Sequence, residues 1–190
     1  SYAWTIPDNI SSSVKVRVTS NADSTVSDSS DANFKIVGSL TLTAPNGGEK
    51  WKVGSIQNIT WTRTGSIANA KLEYSTDGGL TYPGVIAPST SASAGSYSWT
   101  IPDALTATAR VRISDASDPT VNDVSDADFK ILAGFTVLTP NGGEVWVVGS
   151  SQNITWSNTG SVSNVKLEYS TDGGATYPAL ITASTPNTGS

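Results

Sequence analysis

The side chains that could do chemistry are few, and they are mostly carboxylates. The chain of 190 residues has no histidine, no cysteine and no methionine. Without histidine the commonest general base and the commonest transition-metal ligand are missing. Without cysteine there is no disulfide and no thiolate metal site. Glu49, Glu73 and Asp77 are the carboxylates nearest to turn motifs. No spacing sets two of them across a cleft as glycoside hydrolysis needs. The chain therefore reads as a non-enzyme. Its densest carboxylate run is Ser114 to Phe129, "SDASDPTVNDVSDADF". Asp115, Asp118, Asp123, Asp126 and Asp128 could offer oxygens to calcium, a hard cation that takes six to eight of them. The competing reading is a loop of side-chain-capped turns. The matching run, "TSNADSTVSDSSDANF" (Thr19 to Phe34), keeps Asp23, Asp28 and Asp31 but has Ser20 and Asn33 at two of the positions.

"STDGGLTY" (Ser75 to Tyr82) and "STDGGATY" (Ser170 to Tyr177) fit the Asp-box pattern found in sialidase propellers. The pattern predicts a turn. Asp77 bonds backbone N–H groups, Gly78 and Gly79 take positive φ, and Tyr82 folds back on the strands. A propeller would carry one such motif per blade, at closer spacing. "NIS" at Asn9 and "NIT" at Asn58 and Asn153 fit the N-glycosylation triplet. Alternation turns Asn58 outward, opposite Ile59 and Trp61.

The elements that must position these residues repeat. Sliding the chain by 95 residues aligns its halves without a gap. "APNGGEKWKVGSIQNITW" (Ala44 to Trp61) returns as "TPNGGEVWVVGSSQNITW" (Thr139 to Trp156), and "SYAWTIPD" (Ser1 to Asp8) as "SYSWTIPD" (Ser96 to Asp103). A repeat sets the structural unit, and a unit of this length makes one small domain. Within it the apolar pattern has period two. Ile59 with Trp61, Leu72 with Tyr74, Trp99 with Ile101, Val111 with Ile113, and Phe129 with Ile131 each share a face. Lys71, Glu73, Arg110 and Arg112 take the opposite side. Turn signals fall at Pro45 to Gly48, Thr64 to Ser66, Asp77 to Gly79 and Pro102-Asp103. The fold class is all-β. About seven short strands per repeat predict tandem immunoglobulin-like antiparallel sandwiches. The predicted core is Trp51, Ile59, Trp61, Leu72, Tyr74, Trp99, Val111, Ile113 and Phe129.

Small-residue breaks at Gly38-Ser39 and Ala133-Gly134 mark the unit boundaries. Residues 1–38 then form the C-terminal part of one repeat, 39–133 a complete repeat, and 134–190 the N-terminal part of another. Joining Ser190 to a following Ser1 gives "PNTGSSYAWTIPD", the same length as the internal "SASAGSYSWTIPD". The frame predicts that residues 1–38 of one copy complete residues 134–190 of another, either along a longer polypeptide or between separate subunits head to tail. The contact residues expected are Tyr2, Trp4, Ile6, Val16, Val18, Phe34 and Ile36 on one side. On the other are Trp146, Ile154, Trp156, Leu167 and Tyr169. Val145 and Val147 replace Lys50 and Lys52 beside the tryptophan, which reads either as drift or as a contact between domains or neighbouring chains.

The motifs "PNGGE-x-W-x-x-GS-x-QNITW", "VKLEYSTDGG", "SYSWTIPD" and "ARVRISDASDPTVNDVSDADFKI", in this order, give the chain a resemblance to the yeast cell-wall Ser-Thr-rich, glycosylphosphatidylinositol-anchored membrane protein domain, which also recurs in tandem in large secreted prokaryotic proteins. The resemblance implies an extracellular immunoglobulin-like sandwich and brings no catalytic residues. Composition agrees with a cell-surface location. Ser, Thr, Gly and Asn abound. The net charge of −5 argues against nucleic acid, and no apolar run is long enough to span a membrane. The function expected is structural, a stalk, fibre or head-to-tail surface filament whose partners are further copies of the chain. The alternative is an adhesion module that binds a cell-wall glycan or a surface protein. No cofactor is expected beyond the possible calcium.

Overall fold

The computed structural model describes residues 1–189. The junction at Ser190 that the frame argument invokes lies outside them. The chain is all-β, with several antiparallel sheets. The strands are Ser11–Val14 (β1), Arg17–Thr19 (β2), Ser27–Ser29 (β3), Phe34–Ile36 (β4), Ser39–Ala44 (β5), Lys50–Lys52 (β6), Ile56–Thr64 (β7), Asn69–Ser75 (β8) and Gly84–Ser91 (β9). They continue with Ser96–Thr100 (β10), Thr106–Asp115 (β11), Asn122–Val124 (β12), Phe129–Leu132 (β13), Gly134–Thr139 (β14), Thr155–Thr159 (β15), Asn164–Tyr169 (β16) and Ala179–Pro186 (β17). One 3-10 turn, Ala92–Ala94, precedes β10. Among the described residues no helix is long and apolar enough to cross a membrane.

Strands β10, β7 and β5 form one sheet in that order. A larger sheet runs β6-β13-β11-β8-β9, with β12 on β11. β13 and β6 are parallel, and β8 is antiparallel to both β9 and β11. The remaining sheets are pairs: β1 with β4, β2 with β3, β14 with β15, β16 with β17.

Packing divides the chain into two compact units. One holds Ser1–Glu49, Asn58–Trp99 and Thr108–Phe129; the other holds Lys50–Gln57, Thr100–Ala107 and the residues from Lys130 onward. These limits do not coincide with the breaks at residues 38 and 133. In the first unit the alternating apolar residues are buried as expected: Ile59, Trp61, Leu72, Trp99, Val111, Ile113 and Phe129, joined by Leu40 and Leu42. The Trp61 indole N–H donates to the Ala92 carbonyl (2.8 Å), so its polar edge enters the interior satisfied. The Tyr74 and Trp99 rings lie 5.2 Å apart, tilted, with Tyr74 only half-buried. In the second unit Trp51, Ile101, Ile131 and Trp156 are buried.

One face assignment needs correction. Alternation turns Glu73 toward water, yet it is buried. The Arg112 guanidinium donates to Glu73 Oε2 (2.8 Å) and Lys71 Nζ pairs with Oε1 (2.6 Å). Arg112 also covers the Tyr82 ring, 4.3 Å from its centroid. The long side chains of this face lie flat and shield the carboxylate.

Repeat-equivalent segments fold alike only where their strand partner is near in sequence. β5 recurs as β14 and β9 as β17, each displaced by 95 residues. The β11/β12 register, Arg112↔Val124 to Ser114↔Asn122, recurs as Arg17↔Ser29 to Thr19↔Ser27 in β2/β3. Besides residues 15–16, which interrupt the equivalent of β11, and shortened strand ends, three segments break the pattern. Residues 1–5, equivalent to β10, are not a strand; nor are 145–147, equivalent to β6; nor 151–154, equivalent to the first part of β7. In the middle of the chain these segments pair across the repeat, β10 with β7 and β6 with β13. Their counterparts sit at opposite ends of the sequence.

Candidate functional site

The best-built local structures are two Asp turns. Ser75 Oγ donates to Asp77 Oδ1 (2.5 Å) and accepts the N–H of Asp77 and of Gly79. Asp77 accepts the Thr81 N–H (3.0 Å) and hydroxyl (2.6 Å). Gly78 and Gly79 have φ of 74° and 88°, which side-chain-bearing residues rarely adopt. Ser170, Asp172 and Thr176 repeat the arrangement. The Ser75 and Thr81 hydroxyls hold the Asp77 carboxyl down to about 2, and the same donors lower Asp172. The hydrogen bonds to Asp77 from Ser75 and Thr81 close within the turn.

The five aspartates of the 114–129 loop are not gathered. Asp115 caps Ser117, and Asp118 caps Thr120 and pairs with Lys35 (3.0 Å). Asp123 accepts the Leu42 N–H (2.7 Å), Asp126 the Asn46 amide (2.6 Å), and Asp128 the Arg110 guanidinium (2.6 Å). Each carboxylate accepts from a different donor. Among the described residues no three metal-ligating side chains come together. The Thr120 hydroxyl, then Lys35, lowers the Asp118 carboxyl. At Glu73 burial pushes upward, but the hydrogen bonds and charges of Lys71 and Arg112 outweigh it and hold the group below its usual range.

Asn9, Asn58 and Asn153 are all exposed. Asn58 Oδ1 accepts the Ser98 hydroxyl (2.9 Å).

A clamp that sequence reading did not single out occurs twice. Asp8 Oδ1 accepts the N–H (2.9 Å) and hydroxyl (3.0 Å) of Ser66. Asp103 accepts the Ser161 N–H on Oδ1 and the Ser161 hydroxyl on Oδ2, and that hydroxyl lowers its carboxyl. Each clamp joins the end of an "IPD" segment to a Gly-Ser turn 58 residues on. Gly65 and Gly160 sit at these turns with φ of 80° and 88°. A Cβ on Gly160 would come within 3.2 Å of Val53, 3.3 Å of Leu105 and 3.4 Å of Ala133. The available signal was that "IPD" and "TGS" both recur at the repeat spacing.

The apolar residues expected at an inter-copy contact divide sharply from their equivalents. Trp4 is 46% exposed where Trp99 is 6%, and Trp146 is 42% where Trp51 is 8%. Val18 is 72% exposed where Ile113 is 0%. Tyr2, Ile6, Val16 and Tyr169 are exposed, and Phe34, Ile154 and Leu167 are half-buried. Ile36 and Trp156 are buried within the single chain. The Trp156 indole donates to Asn187 Oδ1 (2.6 Å), as Trp61 does to Ala92. Val145, Val147 and Val148 lie in the open. Phe135, Val137, Ile154, Trp156, Val162 and Leu167 line an apolar groove of about 400 Å³. The equivalents of its lining, Leu40, Leu42, Ile59, Trp61, Ile67 and Leu72, are all buried.

None of the protein-family models, curated proteins or solved structures compared with the chain matches it.

Proposed function

We propose that the chain is an extracellular structural protein built of tandem immunoglobulin-like sandwiches, which join head to tail into a stalk or filament. One observation carries the reading. The segments that fail to form strands, 1–5, 145–147 and 151–154, are those whose repeat-equivalent partners lie at the other end of the chain. The open groove at residues 134–189 and the exposed apolar residues at 1–38 support reading the two ends as halves of one core. The occupant of the groove is residues 1–38 of a second copy. Main-chain pairing would restore the missing ladders. A heterologous contact that does not close propagates as a filament. The composition and the cell-wall-domain resemblance support an extracellular setting.

The test is light scattering and electron microscopy of the purified chain over a range of concentration, with mass spectrometry of the denatured material. Open-ended oligomers built from a single 190-residue mass are expected. A monomer at every concentration would overturn the reading, and slow hydrogen exchange in both end portions would show each already complete.

A further inference from the structure

Resting on the head-to-tail reading, we propose that the second copy docks on the open edge of β16 in one fixed register, set by polar pairs, with its Arg17 seated on Glu168 and Tyr177. In the middle of the chain β8 pairs on both edges, with β9 and with β11. Its equivalent β16 pairs on one edge only, with β17. The free edge needs the equivalent of β11, and that is Lys15 to Ser20. The β8/β11 register sets Arg112 opposite Glu73 and Ile113 opposite Leu72. Moved by 95 residues, it sets Arg17 opposite Glu168 and Val18 opposite Leu167.

The polar contacts across the two parts of the middle repeat support this register. Glu73 holds Arg112, and both residue types recur at Glu168 and Arg17. Asp123 caps the Leu42 N–H; Asp28 recurs, opposite Val137. Asp126 holds Asn46, and Asp31 and Asn141 recur. Ser125 donates to the Pro45 carbonyl, and Ser30 and Pro140 recur. One solvent-facing pair is not kept, since Ala3 stands where Ser98 bonds Asn58. The contrast is the ion pair made wholly within the later part. Arg110–Asp128 is replaced by Lys15 and Asn33. Both members of three pairs that a joint would use are thus kept, with the carboxylate of a fourth that caps a backbone N–H, whereas the Arg110–Asp128 ion pair within one part is lost. The acceptor is also prepared. Lys166 already pairs with Glu168, as Lys71 does with Glu73, and the second cation is absent. The Tyr177 ring, partner by equivalence to Arg17, is exposed.

The experiment is a charge exchange followed by light scattering. Arg17→Glu and Glu168→Arg are made separately; both positions are exposed, and circular dichroism checks that each variant folds. Each variant alone sets like charges at every joint, so its critical concentration should rise at least tenfold. An equimolar mixture sets opposite charges at every alternating joint, and assembly should return. Because the chain has no cysteine, a double variant, Arg17→Cys with Glu168→Cys, gives a second readout. On oxidation it should yield a ladder of covalent oligomers, whereas Thr19→Cys with Glu168→Cys should not. If the native chain assembles while the single exchanges assemble equally well, the register is overturned and the head-to-tail reading stands. If the singles fail and the mixture fails too, the Arg17–Glu168 pairing is overturned. If the native chain does not assemble at all, the head-to-tail reading falls, and the register with it.

Discussion

Single hydroxyls and carboxylates close most of the turns in this chain. Ser125 Oγ is buried, accepts the Val111 N–H (3.0 Å) and donates to the Pro45 carbonyl (2.8 Å). Ser125→Ala leaves a buried donor and acceptor unpaired, which costs about 1–3 kcal/mol. The urea midpoint should fall accordingly, with an unchanged slope. The carboxylates make acid stability predictable in sign. Asp77 titrates near 2 in the folded chain against 3.8 ordinarily, and the Asp23, Asp103, Asp118 and Asp172 carboxyls are lowered too, each by a Ser or Thr hydroxyl. A depressed folded value adds stability that is complete above the unfolded value and vanishes as pH falls through the folded one. The urea midpoint should therefore hold between pH 7 and about pH 5 and drop between about pH 4 and 2. Asp77→Asn should lower the plateau and shrink the drop.

Elements in this protein depend on partners distant in sequence. β2/β3, β14/β15 and β16/β17 form because both members of each pair lie in the same end portion of the chain. The counterparts of β6 and β10 do not form, because an unpaired strand leaves its N–H and C=O groups without partners. The Asp–Ser clamps add a second kind of join, anchored on glycines whose conformation a side chain would strain. Gly160→Ala places a Cβ at φ 88° against Val53, Leu105 and Ala133. A left-handed alanine costs about 1–2 kcal/mol before any clash. Thermal unfolding should show that loss. Gly54→Ala, which meets nothing within 4 Å at φ 78°, should show the conformational cost alone.

The whole molecule is described by what its two ends lack. A circular permutant that joins Ser190 to Ser1 and opens between Gly38 and Ser39 would carry two complete repeats. It is expected to remain a monomer, with Trp4 and Trp146 shielded from an aqueous quencher, at the cost of the Asp8–Ser66 clamp. A permutant that still polymerises would show that completion is not what joins the copies. Glycan binding makes a different prediction. The tryptophan emission of the native chain would respond to added polysaccharide in proportion to Trp4 and Trp146 exposure, with no change in oligomeric mass.

Much of this was legible in the residues themselves. Period-two alternation identified Ile59, Trp61, Leu72, Val111, Ile113 and Phe129 as interior, because a strand sends alternate side chains to opposite faces whatever surrounds it. The Asp turns were equally legible, since their hydrogen bonds close within six residues. Tertiary structure alone decided the rest. Glu73 reads as outward, yet Arg112 and Lys71 cover it, and no spacing along one strand reports what the neighbouring strand lays across it. The loop aspartates read as a possible cation site, but they accept instead from separate donors, among them Leu42, Asn46 and Arg110. The clamps between Asp8 and Ser66 and between Asp103 and Ser161 join segments 58 residues apart. A hydrogen bond needs its partners within about 3 Å in space, and only the folded chain sets that distance.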